Sequence, residues 1–472
     1  MGIGSITDTI ARAVEDASDG VTEVFQPVIR VGVTGLSRAG KTVFITSLVA
    51  NLLDRGRMPQ LLAASEGRIV SAFLQPQPDD TVPRFAFETH LAALTGATPH
   101  WPHSTRAISQ LRLSLKVQQR GPMAGMRGLK TVHIDIVDYP GEWLLDLPLL
   151  NQSYAEWSTQ ALELARSEGR AALADGWLAQ LEGCDPTADL DEPKAQKLAL
   201  GFTEYLSASR EAGFSACAPG RFLLPGDLEG SPVLTFCPLE RPDKARTKML
   251  YAEFERRFEA YKRKVVKPFF RDHFAKIDRQ IVLVDALGAI HAGPQAVEDL
   301  RGAMGDILTS FRPGKNTWLS KILRKRVEKI LFVATKADHL HHTQHPQLTA
   351  IMQAMLRDAK DRADFKGAKT GAMSIASLRA TVEQTVTHQG QPLDLVRGTL
   401  LDTGKVAAMH AGELPDDPAH LLTPARQGAA EWLDGDFEVM RFAPPVLTRK
   451  PGDGLPHIRL DKAAQFLIGD RL

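Results

Sequence analysis

Two kinds of hydrophobic pattern occupy separate regions of the chain. Short strand-like runs lie at Val28–Val33, Ile108–Val117, Thr131–Val137, Gln280–Leu287 and Lys329–Ala334, the second of them alternating apolar and polar residues. Between the third and fourth runs, from Asn151 to about Lys276, helical periodicity dominates. There Leu250, Phe254, Phe258, Tyr261, Val265 and Phe269 recur at three- and four-residue intervals, with acids and bases on the other face. Tyr154–Leu181 and Ala195–Ala212 are rich in alanine, leucine and glutamate, which favour helix. The Pro- and Gly-rich stretch Pro219–Pro242 is expected to return along the surface. Apolar positions Phe44, Leu48, Val49 and Leu52 predict a helix after the first strand, and Gln347–Ala363 predicts another after the last. Leu393–Leu401 and Lys405–His410 flank Asp402-Thr403-Gly404 as a hairpin would. The pattern predicts an α/β fold: a mostly parallel sheet flanked by helices, interrupted by a large α-helical insertion.

At 472 residues the chain exceeds the size at which one core stops growing, so two or three domains are expected. Its 57 basic and 56 acidic residues leave a formal charge of +1, which gives no overall attraction to nucleic acid. Three cysteines, Cys184, Cys217 and Cys237, are odd in number and lack metal-ligand spacing. They read as free thiols in a reducing compartment. No run reaches the roughly 18 apolar residues that a membrane helix needs. Met1–Asp19 has neither the basic start nor the apolar run of a secretory signal. Ile6, Ile10 and Val14 share a face there, as in a surface or short docking helix. A cytoplasmic protein with at most peripheral membrane contact is expected.

Chemistry enters where the first strand ends. Gly35-Leu36-Ser37-Arg38-Ala39-Gly40-Lys41-Thr42 matches G-x-x-x-x-G-K-[ST], between a strand and a helix as the motif requires. Gly35 and Gly40 allow backbone angles that turn the N–H groups of the loop, from Ser37 and Arg38 through Ala39 to Val43, towards phosphate oxygens. The helix start adds its positive end. Lys41 is placed to reach the β- and γ-phosphates and the Thr42 hydroxyl to ligate Mg²⁺.

Asp138-Tyr139-Pro140-Gly141 follows the third strand and fits D-x-x-G. Asp138 can hold Mg²⁺ through water, and the Gly141 N–H can contact the γ-phosphate and release it on hydrolysis. Thr335-Lys336-Ala337-Asp338 fits [NT]-K-x-D at the end of the fifth run. A carboxylate at Asp338 accepts from the guanine N1–H and its exocyclic amine, a donor pair that adenine lacks on that edge. The Lys336 stem can lie across the base, and the Thr335 hydroxyl can tie this loop to the phosphate-binding loop. Ser374-Ile375-Ala376 lies where a last guanine element belongs, with the Ala376 N–H towards guanine O6; a plain loop is the other reading. Thr105, or Ser104 beside it, precedes the second strand, where such proteins place the hydroxyl that closes on Mg²⁺. Glu142 stands where many GTPases carry a water-positioning glutamine; a carboxylate can orient water, and pointing away from the γ-phosphate, whose charge it would face, is the other reading. Arg38 sits in the loop where guanylate-binding proteins, with a similar Gly-Leu-x-Arg-x-Gly-Lys, carry an internal arginine finger; pairing with a surface carboxylate is the alternative.

Asp285 ends the fourth run but follows the insertion, so a structural role is expected and Asp138 keeps the metal. The basic, aromatic run Arg256–Lys276 and the shorter Lys321–Lys329 read as solvated faces. His339, His341, His342 and His345 read as a solvated loop rather than a metal site.

The sum of motifs resembles the YcjX-like family of bacterial stress-associated GTPases over nearly the whole chain. The most specific segments are Val33–Thr42, Asp138-Tyr139-Pro140-Gly141-Glu142-Trp143, Pro456–Lys462 and the closing Ile468-Gly469-Asp470-Arg471-Leu472. The resemblance implies a P-loop G domain with an inserted helical domain, GTP and GDP as ligands with Mg²⁺, and a setting linked to envelope or heat stress. It also suggests an inner-membrane partner of the YcjF type. The expected division is an N-terminal helix or tail (1–20), a first part of the G domain (21–141), the insertion (142–279), a second part (280–385) and a C-terminal extension packed on the G domain (386–472). A dynamin-like scaffold GTPase and a P-loop ATPase are the competing functional readings.

Overall fold

A computed structural model describes residues 26–36, 39–102, 107–120, 128–243, 248–310, 327–362, 368–429, 431–432, 437–448, 450 and 452–472. The expected helix bearing Ile6, Ile10 and Val14 lies outside these residues, as do Ser37, Arg38, Ser104, Thr105 and most of Lys321–Lys329.

Strands β1 (Val28–Gly35), β2 (Ile69–Gln75), β3 (Ser109–Gln118), β4 (Leu129–Asp138), β5 (Arg279–Val284), β6 (Lys329–Ala334) and β7 (Lys369–Ser374) form one sheet. Its order is β2-β3-β4-β1-β5-β6-β7. The β4-β1-β5-β6-β7 portion is parallel, while β2 and β3 run antiparallel at one edge. This is the α/β class that the pattern predicts. The register of β1 with β4 sets Val33 opposite Asp138, which brings the phosphate-loop strand and the D-x-x-G strand to the same sheet end.

Burial on both faces explains the dense apolar runs of the central strands. Ile281 and Leu283 of β5, with Ile29, Val31 and Val33 of β1, face one core. Helices α1 (Lys41–Leu53), α2 (Phe87–Thr95) and the C-terminal Leu460–Ile468 cover that side. Val282, Val284, Ile330 and Phe332 face the opposite core.

The helices between β4 and β5 join this second core: α3 (Tyr154–Ala165), α4 (Glu168–Glu182), α5 (Glu192–Glu211) and α6 (Leu250–Tyr261). A Ser153–Glu156 capping box starts α3, and the Asp191 side chain accepts from Lys194 N–H at the start of α5. Their aromatics interlock, with Trp157 stacked on Phe258 at 5.0 Å and Phe202 edge-on to Trp157. A π-turn, Lys262–Val266, carries α6 on into Lys267–Asp272. Every residue of the predicted apolar stripe from Leu250 to Phe269 is buried. The stretch from Pro219 follows expectation only in part: Gly226–Pro232 runs along the surface, while Phe222, Phe236, Cys237 and Leu239 anchor its two ends in the aromatic cluster. Of the basic run, Arg257 and Lys262 are buried too, Arg257 pairing with Glu192 and Glu253.

Beyond β5 come α7 (Ala286–Ala292), α8 (Pro294–Ser310) and α9 (His345–Arg362). The buried Arg170 of α4 pairs with Asp299 of α8, and Asp299 also accepts from the Ala216 N–H at 2.8 Å. A separate antiparallel sheet contains β8 (Val382–His388), β9 (Gln391–Thr399) and β10 (Val406–Met409) in the order β10-β9-β8. Cys184, Cys217 and Cys237 are free, the last two buried. Among the described residues no helix is long and apolar enough to cross a membrane.

Candidate nucleotide site

The turn from β1 into α1 is closed by Leu36 N–H to Leu283 O at 2.9 Å and Ala39 N–H to Leu36 O at 3.1 Å. Gly40, the residue before α1, has φ +73°, a conformation that costs L-residues and suits glycine. Among the described residues no side chain caps the helix, and its first residues line a cavity of about 970 Å³. Gly35, Ala39, Gly40, Lys41, Thr42 and Val43 line one end of it.

Across the turn, Asp138 is buried at the end of β4. Its Oδ1 lies 2.8 Å from Lys41 Nζ, and the same ammonium donates to Tyr139 O at 2.9 Å. Ser109 Oγ stands 3.5 Å from Asp138 Oδ2. A hard divalent cation suits the chemistry of this donor set: a buried carboxylate paired with the Lys41 ammonium, and a hydroxyl on Thr42, the residue after that lysine. Gly141 packs directly on the loop, where a Cβ would fall 2.0 Å from Gly35 O.

The far end of the cavity is lined by Thr335, Lys336, Asp338, Ser377, Leu378 and Ala380. Lys336 adopts the left-handed conformation at φ 60°, and its ammonium pairs with Asp285. Asp285 in turn accepts from the Gly288 N–H at 3.0 Å to start α7, so it has the structural role expected of it. The buried Asp338 carboxylate accepts from Ala380 N–H at 2.7 Å, and its carbonyl accepts from the Thr381 hydroxyl. One carboxylate oxygen is thereby fixed, while a carboxylate retains acceptor sites for further donors.

Three expectations need correcting. The Thr335 hydroxyl donates to Val284 O at 3.2 Å, tying the loop to β5; among the described residues no bond joins it to the phosphate loop. The Ala376 N–H donates to Ile458 O at 3.0 Å and is engaged within the fold, not turned to a base. Ser374, Ile375 and Ala376 are all buried; Ile375 braces the Thr335–Asp338 loop by accepting from Ala337 N–H at 2.9 Å. The histidines are not a solvated loop either. His339, His341 and His345 are buried, His345 Nε2 lying 2.7 Å from Ala337 O.

Sequence spacing gave no sign of the cavity's third wall. Arg210 and Glu211, at the end of α5, and Leu224 and Pro225 beyond it line the space above Glu142. Arg210 Nη1 stands 3.8 Å from Glu142 Oε1. The segment after D-x-x-G is held by Gly220–Leu224 and by Tyr261 at the end of α6. Trp143 Nε1 donates to Leu224 O at 3.2 Å, the Arg221 guanidinium lies over the Trp143 ring, and a Cβ on Gly220 would fall 2.1 Å from Glu142 O. Asp146 accepts from Gly220 N–H at 2.7 Å and from Tyr261 OH at 2.6 Å. Burial raises the Asp146 carboxyl to about 7.

Residues 29–472 match the model of the YcjX-like family, DUF463. The chain belongs to the YcjX-like family. Among similar members is the Ras-like GTPase YcjX of Escherichia coli, 39% identical over 457 residues that cover 94% of this chain and 96% of that protein. The Ras-like GTPase YcjX of Shewanella oneidensis is 36% identical over 467 residues, covering 94% of each.

Proposed function

We propose that this chain binds guanine nucleotide with Mg²⁺, hydrolyses GTP to GDP and phosphate, and uses that cycle to reposition the helices between β4 and β5. The observation that carries the reading is a single cavity with Lys41, Thr42 and Gly141 at one end and Lys336 and Asp338 at the other. Both family members named above are Ras-like GTPases by name, which agrees with it.

Lys41 leaves Asp138 for the β- and γ-phosphates, and the α1 N-terminus and the loop N–H groups neutralise the rest. Thr42 and, through water, Asp138 would hold Mg²⁺, which supplies charge neutralisation at the β- and γ-oxygens. Asp338 accepts from the N1–H and exocyclic amine of guanine; adenine would leave that buried carboxylate short of donors, which argues against an ATPase. With Ala376 engaged by Ile458, backbone recognition of guanine O6 passes to the cavity-lining Ser377–Leu378 segment. Glu142 orients the attacking water, its charge balanced by Arg210 so that it can face the γ-phosphate. Arg38 and Thr105 keep the roles that their motifs suggest, a cis arginine finger and the switch hydroxyl.

Coupling to the helices follows from contact. Gly141 rests on Gly35, and the next residues are pinned to Arg210, Gly220, Leu224 and Tyr261. Movement of Gly141 when the γ-phosphate leaves is therefore passed directly to them. The family resemblance further suggests a stress role, peripheral membrane contact and a YcjF-type partner. Replacement of Asp338 by asparagine tests the site: guanine affinity should fall at least tenfold with ADP affinity unchanged, and an undiminished guanine preference would refute the assignment.

A further inference from the structure

We propose that His341, His342 and Glu383 form a site for one transition-metal ion of the zinc class, with Asp394 orienting His341. The site lies outside the nucleotide cavity, where the segment after the guanine loop meets β8 and β9.

One ligand atom from each of the three residues lies within 4.8 Å of the other two. His342 Nδ1 is 2.6 Å from Glu383 Oε2, and His341 Nε2 is 3.9 Å from the same oxygen. Tetrahedral coordination with bonds of about 2.0–2.1 Å sets donor atoms about 3.3 Å apart, a value these separations bracket. The other nitrogen of His341, Nδ1, faces Asp394 Oδ2 at 3.1 Å and the Thr343 hydroxyl at 3.0 Å. A proton on Nδ1 leaves the Nε2 lone pair 3.9 Å from a carboxylate oxygen, two electron-rich atoms that a cation between them would satisfy. This carboxylate–histidine pairing is the outer support that metal-binding imidazoles use. Arg379 occupies Glu383 Oε1 at 3.1 Å and leaves Oε2 for the ion. His342 is 64% exposed, which gives a path in and room for water as a fourth ligand. Two imidazoles and one carboxylate select zinc, nickel or copper over magnesium or calcium.

The ion joins two segments that also seat the base-reading carboxylate. His341 closely follows Asp338, and Glu383 closely follows Ala380 and Thr381, the residues that hold it. Metal binding thus fastens the guanine loop to the small sheet.

Untagged full-length protein, stripped with EDTA and kept in excess Mg²⁺, is titrated with Co²⁺ and then Zn²⁺. One equivalent of Co²⁺ should give a visible ligand-field band without a thiolate charge-transfer band, and Zn²⁺ should displace it. His342→Ala and Glu383→Gln should each weaken binding more than tenfold, and Asp394→Asn by about 10- to 100-fold. His342 is exposed, so its alanine variant keeps the fold and can carry the comparison alone. Absence of stoichiometric binding, a thiolate band, or unchanged affinity in the His342→Ala protein would each overturn the proposal.

Discussion

Gly141 sits against Gly35 so closely that a methyl group on it would fall 2.0 Å from the Gly35 carbonyl oxygen. The glycine of D-x-x-G is thus required by packing on the phosphate loop as well as by any contact with phosphate. Gly141→Ala forces the two segments apart. GTP hydrolysis should fall by more than tenfold, with far-UV circular dichroism unchanged, because the displaced turn is local. Wild-type turnover in this variant would show that the loops part freely.

Arg210 reaches the cavity from the end of α5 and faces Glu142. On the proposed reading, removing it would leave the Glu142 charge unbalanced beside the γ-phosphate. Single-turnover GTP hydrolysis by Arg210→Ala is expected to slow by about 100-fold, the scale for losing one preorganised charge-stabilising group. GDP affinity should hardly change, and lysine should rescue part of the rate. A loss confined to GDP binding would place Arg210 in ground-state recognition instead.

Asp146 supplies a pH dependence of stability. Burial raises its carboxyl from an ordinary 3.8 to about 7 in the folded protein. Between those values the native state binds more protons than the unfolded chain, so its contribution to stability is full below about pH 4 and is lost as pH rises through about 7. Asp146→Asn keeps a neutral group of the same shape at every pH and so removes this titration. The variant's melting temperature should rise relative to wild type from about pH 5 to about pH 8. An unchanged difference across that range would contradict the raised value.

Much of the candidate site's arrangement was legible because its pieces are local. Lys41 and Thr42, Asp138, and Lys336 with Asp338 each lie at a strand end within a few residues of a turn, where sequence fixes geometry. What could not be read depends on distant partners. Nothing in the letters Ser374-Ile375-Ala376 shows that Ile458 takes the Ala376 amide. Arg210 looks like any basic residue at a helix end until tertiary packing brings it to Glu142. In the fold, β5 and β6 announced themselves through β-branched and apolar residues, whereas β7, Lys-Thr-Gly-Ala-Met-Ser, has no such content and is a strand because β6 pairs with it. The half-exposed edge strand β2 escaped for a related reason: apart from Ile69 none of its residues is fully buried. The Pro219 stretch was placed only in part, because Pro and Gly content signals irregular backbone and does not show that Phe222 and Phe236 anchor its ends in the core.

The most direct measurement is equilibrium titration of the purified protein with fluorescently labelled GDP and ADP in the presence of magnesium. GDP should bind at least about 100-fold more tightly, since adenine leaves the Asp338 carboxylate without its donor pair. Equal affinity for the two, or no binding of GDP, would contradict the account.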